Sequence, residues 1–318
     1  MNTTVNKDVI NEKEIDSNKK SIKKHRPKKK KEKDKKVKLS KESKIGILFI
    51  LPSLIGVSIF ILIPFIDVVI RSFQSAISRE FVGIDNYLMV FSNSAFKLAA
   101  KNTARFVLIC IPLLLGISLA IAVLLQRFVN NSHILKKIFL LPMAVPIASI
   151  VLIWKIMFNE QGMLSSFIDK LGGQPLDWMN TKYAFGILVF SYIWKNLGYN
   201  VILWFAGLNS VSPNIYEAAK VDGASEWQCF TKITIPSIKP TLYTVTVLSL
   251  LNSFKVFREA YLVAGDYPHE SMYLLQHLFN NWFRDLSFEK MSAASVVMSI
   301  VIFLLIVLLQ RTWEKQED

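Results

Sequence analysis

Glu217-Ala218-Ala219-Lys220-Val221-Asp222-Gly223, continued to Ile233-Thr234-Ile235-Pro236, is a polar interruption between two long apolar blocks. Just upstream, Ser212-Pro213 predicts a helix start: a serine oxygen can cap free amides, and proline fixes φ at a first helical position that needs no N–H. About two turns follow over 214–221. Gly223 ends them, because a residue without Cβ can reverse the chain sharply. A second helical segment is expected over 225–233, broken by Pro236 and Pro240 ahead of the next apolar block. Residues 208–240 therefore read as a helical hairpin between two membrane spans.

The apolar residues, 52% of 318, gather in blocks too long for a soluble core. Six blocks approach the roughly 20 residues needed to cross about 30 Å of hydrocarbon: 45–69, 104–125, 138–158, 183–207, 242–264 and 291–310. The fold class is all-α, a polytopic membrane protein with its membrane domain at 45–310. A lysine-rich tail precedes it at 1–44, and a short tail follows at 311–318. No internal repeat of 20 to 50 residues is visible.

The net charge of +14 lies mostly ahead of the first span, where lysines crowd from Lys19 to Lys38. Such a run cannot bury apolar surface and is expected to be disordered. Beside a membrane span it holds that end in the cytoplasm and attracts anionic lipid. Nucleic acid is a poor partner for it, because no aromatic residues interleave to stack bases. With that end inside, six spans return the C-terminus to the cytoplasm, place 126–137 and 208–240 there, and leave 73–103, 159–182 and 265–290 outside. Arg79, Lys97, Lys101, Lys170, Arg284 and Lys290 then fall outside, so the orientation rests on the tail. The first apolar run is too long for a signal-peptide core and is expected to stay as an anchor. Cys110, within a span, and Cys229, in the hairpin, are not expected to form a structural disulfide.

The hairpin resembles the cytoplasmic coupling loop of binding-protein-dependent ABC importers. Its six fixed positions (Glu217, Ala218, Ala219, Gly223, Ile233 and Pro236) would recur by chance in a chain this long only on the order of a few times in 10^5. Ile235 stands where leucine is usual, a volume-conserving change. Gly83-Ile84-Asp85-Asn86-Tyr87 resembles a segment common in carbohydrate-type permeases, and 215–225 is similar to that sugar subfamily. The resemblance covers about 45–311 and points to the maltose and oligosaccharide type of permease. It implies a six-helix bundle with a cytoplasmic coupling hairpin, paired with a second permease. Two ATPases carry ATP and Mg, and an extracytoplasmic solute-binding protein delivers the cargo. The coupling residues would be Glu217, Ala218, Ala219, Asp222, Gly223, Ile233 and Pro236, with two alanines slim enough to enter a groove and Glu217 offering a carboxylate to a basic partner.

No phosphate cradle, nucleophile elbow or zinc-binding pair is present, and His25, His133, His269 and His277 show no ligand spacing. No catalytic, metal or cofactor residue is therefore expected in this chain. Within the fifth span Ser249, Asn252, Lys255 and Glu259 fall broadly on one helical face. Lys255 and Glu259 stand one turn apart, and Arg258 adjoins them. They read either as a polar lining of a solute path or as an interfacial salt bridge. In the fourth span Tyr192, Trp194, Tyr199, Asn200 and Trp204 supply flat faces and amides suited to sugars, as well as to membrane belts. The candidate path residues are Tyr199, Asn200, Asn252, Lys255, Arg258 and Glu259. Lys155 and Lys195 read as interfacial or structural, and Pro142 with Pro146 as a helix irregularity. The alternatives are an ion-coupled secondary transporter, which would need inverted repeats, a membrane anchor working through its basic tail, and glycerol-phosphate cargo within the same importer architecture.

Overall fold

The computed structural model describes residues 41–128 and 133–314. The basic run at 19–38 and the last residues of the C-terminal tail lie outside them. The chain divides into two units, 1–60 and 61–318. The described part of the first unit is helix α1, Lys41–Val57, with Pro52 inside it, and a π-helical turn at Ser58–Leu62 lies at the division.

The described residues of the second unit are helices joined by loops, their only β feature being an isolated bridge between Gln74 and Phe81. Its helices are α2 (Ile63–Arg71), α3 (Asp85–Ser92), α4 (Ser94–Phe128), α5 (His133–Ala144), α6 (Ile147–Phe158) and α7 (Met163–Lys170), then α8 (Ala184–Asn209) and α9 (Pro213–Val221). They continue with α10 (Glu226–Cys229), α11 (Lys239–Ser253), α12 (Phe257–Ala264), α13 (Leu275–Arg284) and α14 (Phe288–Glu314). α8 is the hub, packing against α4, α5 and α11, while α14 packs on α2 and α3, and α12 on α6.

Among the described residues four stretches are long and apolar enough to cross a membrane: Leu48–Arg71, Ser94–Gln126, Ile147–Lys170 and Phe288–Thr312. The third departs from the expected 138–158, because the chain breaks at Pro146, whose ψ of 141° is extended. Proline lacks the N–H that would continue α5, and it disfavours helical geometry in the residue before it. The other two expected spans fall on α8 and on α11 with α12. α8 is diluted by Lys195, Asn196 and Asn200, and the latter pair is split by a 3-10 turn at Phe254–Val256. Both are helices that a bundle can carry inside, where polar side chains find partners.

The glycine-to-tyrosine segment at 83–87 is a bracket. Gly83 turns the chain at φ +59°, and buried Asn86 donates to the Ser72 and Gln74 carbonyls at 3.0 and 2.9 Å. The Tyr87 hydroxyl meets Ser72 Oγ at 2.7 Å. One amide thus satisfies two carbonyls freed at the end of α2, which explains an asparagine there. Asn102 similarly ties α4 to the segment before α13 through the Glu270 and Tyr273 carbonyls, at 2.6 and 3.0 Å.

Candidate functional site

The hairpin is the first of two sites. Pro213 opens α9 as expected, but Ser212 makes no side-chain cap. Gly223 closes it at φ +79°. The Ala224 N–H reaches the Ala219 carbonyl at 2.9 Å and the Gly223 N–H the Lys220 carbonyl at 3.1 Å, the paired bonds of a glycine-terminated helix. Ser225 then starts α10 with a reciprocal cap: its backbone N–H donates to Gln228 Oε1 at 2.8 Å, and the Gln228 N–H to its hydroxyl at 3.3 Å.

Beyond α10 the chain runs as a π-helical turn, Phe230–Thr234, and a helical turn, Ile235–Ser237. Pro236 does not break the segment as expected. The π-turn widens the coil just ahead of a residue that cannot donate, and the helical course is interrupted instead at Ile238 (φ −91°, ψ 7°), ahead of α11.

The hairpin's root is fastened to the bundle. The Tyr216 and Thr234 hydroxyls meet at 2.9 Å. Tyr216, Ile233 and Ile235 pack on the cluster of Ala122, Val201, Trp204, Leu208 and Val245 from α4, α8 and α11. Its tip looks outward: Glu217, Ala218, Asp222, Gly223 and Pro236 are exposed, and so are Val221 at 89% and Trp227 at 71%. These two exposed apolar side chains and the slim Ala218 give the tip an apolar surface. Of the expected coupling residues, the structure places 217–223 on α9 and its terminal turn, and Ile233 with Pro236 on the returning strand of the hairpin. Tyr216, Val221 and Trp227 were missed. Their signal was an apolar residue set in a polar loop.

The second site is a cavity of about 190 Å³ between α5, α8 and α12, with the 3-10 turn beside it. Its polar lining is Ser191, Tyr192, Lys195, Asn196, Asn252, Lys255 and Glu259, closed by Met143 and Val256. Three of the expected path residues, Asn252, Lys255 and Glu259, are therefore brought together. Tyr199, Asn200 and Arg258 are not among the lining residues. Asn200 is buried and spends its amide on Ser249 Oγ at 2.9 Å, and Arg258 is exposed.

Lys255 does not pair with Glu259. In a 3-10 turn side chains at i and i+3 eclipse, so the Lys255 ammonium lies over Asn252 and donates to its Oδ1 at 2.9 Å. Glu259 instead forms a salt bridge with Lys195 of α8, the two side chains 5% and 20% exposed. Its Oε2 is buried without a partner. Tyr192 sends its hydroxyl to the Ser249 carbonyl at 2.6 Å, and Asn196 its amide to the Tyr192 carbonyl at 2.8 Å. Lys195 was read singly, as interfacial or structural, and Asn196 was not singled out; with Tyr192 they form an i, i+3, i+4 face. The other fourth-span aromatics hold the bundle together: Trp204 donates to Ser118 Oγ at 3.0 Å, and Trp194 sits edge-on to Trp154 at 5.6 Å. Among the described residues no cluster of His, Cys, Asp and Glu could hold a metal.

The sequence and the helix bundle are similar to those of known proteins. A crystal structure of a bacterial ABC transporter that imports the acidic polysaccharide alginate shares the fold, with a TM-score of 0.75 at 21% identity over 86% of this chain and 96% of that one. A trehalose/maltose transport system permease protein of Thermococcus litoralis is 30% identical over 272 residues, which cover 82% of this chain and 91% of its own. An arabinooligosaccharides transport system permease protein of Bacillus subtilis is 31% identical, over 68% of this chain and 71% of its own. Residues 113–315 match the model of the binding-protein-dependent transport system inner membrane component, and the chain, a multi-pass protein of the plasma membrane, belongs to that family of ABC importer permeases.

Proposed function

We propose that this chain is the membrane-spanning permease subunit of an ATP-driven importer of a carbohydrate, an oligosaccharide in the first instance, working by alternating access. It pairs with a second permease, takes cargo from an extracytoplasmic solute-binding protein, and changes no covalent bond itself. ATP and Mg belong to two ATPase subunits that dock on the 208–240 hairpin, which lies with both termini on the cytoplasmic side. The observation that carries this reading is the hairpin's division into a root packed on α4, α8 and α11 and an exposed tip bearing Ala218, Val221 and Trp227. A push on such a tip moves the bundle as a body rather than bending a loop. Solute enters the cavity beside Lys195, Asn252 and Glu259 when the bundle shifts. The two permease relatives that take up saccharides supply the cargo class.

Affinity purification from native membranes, with mass spectrometry of what stays bound, is expected to recover an ATPase, a second permease and a binding protein. Gly223→Pro is expected to abolish uptake while membrane insertion persists, because proline cannot adopt φ +79°. Uptake near the wild-type rate in that variant refutes the coupling assignment.

A further inference from the structure

We infer that the cavity between α5, α8 and α12 is built for an acidic saccharide, with a sugar hydroxyl donating to Glu259 Oε2 and the sugar's oxyanion pairing with Lys255. This deepens the carbohydrate-importer reading and rests on it. Two observations carry it. Glu259 lines the cavity and is 4% exposed; one carboxylate oxygen is held by Lys195 and the other is buried with no donor, within reach of a ligand hydroxyl once the bundle shifts. An orphaned carboxylate oxygen costs free energy unless something donates to it, and a sugar hydroxyl is a donor of the right kind.

The second observation is charge. Lys195 and Glu259 neutralise one another, which leaves Lys255 as an uncompensated cation in the lining. Among the described residues its partner is the neutral Asn252, so two of its three N–H donors remain for a ligand. Arg258, exposed on the following turn, adds charge of the same sign. Lys255 is exposed in the lining, and a neutral sugar leaves only water to answer its charge. An oxyanion completes it with charge-assisted bonds.

The test uses the intact purified transporter, with digalacturonate and its uncharged counterpart galactobiose titrated by equilibrium dialysis. Digalacturonate is expected to bind about tenfold more tightly, with the preference shrinking as salt is raised. Lys255→Gln should erase the preference and Lys255→Arg should keep it. Equal binding by the wild-type complex, or a preference that survives Lys255→Gln, overturns the inference while leaving the importer reading intact. Should neither saccharide bind, the inference falls, while the importer reading is decided separately by recovery of the ATPase, second permease and binding protein. Inorganic phosphate is expected to compete weakly, and full competition by phosphate alone would overturn the requirement for a saccharide. The wild-type comparison and its salt dependence decide the matter even if a Lys255 variant fails to assemble.

Discussion

His277 lies fully buried at the start of α13, its ring edge-on to Phe257 at 4.8 Å and stacked near Tyr273 at 5.8 Å. The Leu274 N–H donates to its Nδ1 at 3.2 Å, and its Nε2 has no partner. Burial in this apolar setting disfavours the imidazolium and pushes its pKa down to about 4, with Asp266 opposing more weakly. The unfolded chain takes up that proton near pH 6.5, so the stability it supplies is complete above 6.5 and is lost as pH falls toward 4, by up to about 3 kcal/mol. The thermal midpoint of the solubilised complex should therefore fall between pH 6.5 and 4.5, and His277→Gln should flatten the fall. Glu259 is a second residue on which much depends. Glu259→Ala leaves Lys195 charged and largely buried, at a cost of about 3 kcal/mol. The double variant with Lys195→Met should regain most of the lost thermal stability, and a double variant no more stable than the single would show that the pair contributes nothing.

Among the elements, the contact of α5 with α8 is the least forgiving. A Cβ on Gly198 would stand 1.6 Å from the Phe139 carbonyl oxygen, so the two backbones touch and only glycine fits. Gly198→Ala must drive the helices apart, at about 3 kcal/mol or more. It is expected to lower the yield of assembled transporter in fluorescence-detected gel filtration, and an unchanged profile would contradict this packing. The breaks in the helices have different origins. That at Pro146 was legible, since proline forbids the continuing bond. The 3-10 turn at Phe254–Val256 was not: no proline or glycine occurs there. What accompanies it is the salt bridge of Glu259 with a residue 64 positions away and the bond of Lys255 to Asn252. The hairpin was legible in outline, because Pro213, Gly223 and Ser225 act locally. The interruption at Ile238 rather than Pro236 was not legible: Ile238 is buried with residues of α4, α8 and α11, contacts that local sequence does not show.

Across the whole molecule the apolar residues that face outward, such as Leu108, Leu152 and Phe303, are those a membrane and a second permease would cover. Deleting residues 1–40 is expected to leave uptake per inserted transporter largely unchanged, and its loss in an inserted protein would favour a working role for the tail. Hydrophobic length, helix punctuation and the spaced residues from Glu217 to Pro236 determined by themselves that this is a helical membrane protein with a docking hairpin. Those signals are local, and the chain carries them whatever its neighbours do. Only the tertiary structure decided that Lys195 answers Glu259, that Lys255 is left with a neutral partner, and that Asn200 supports the bundle while Asn196 faces the cavity. Such pairings depend on which helices meet, and close contacts such as Gly198 on Phe139, between residues far apart in sequence, fix that.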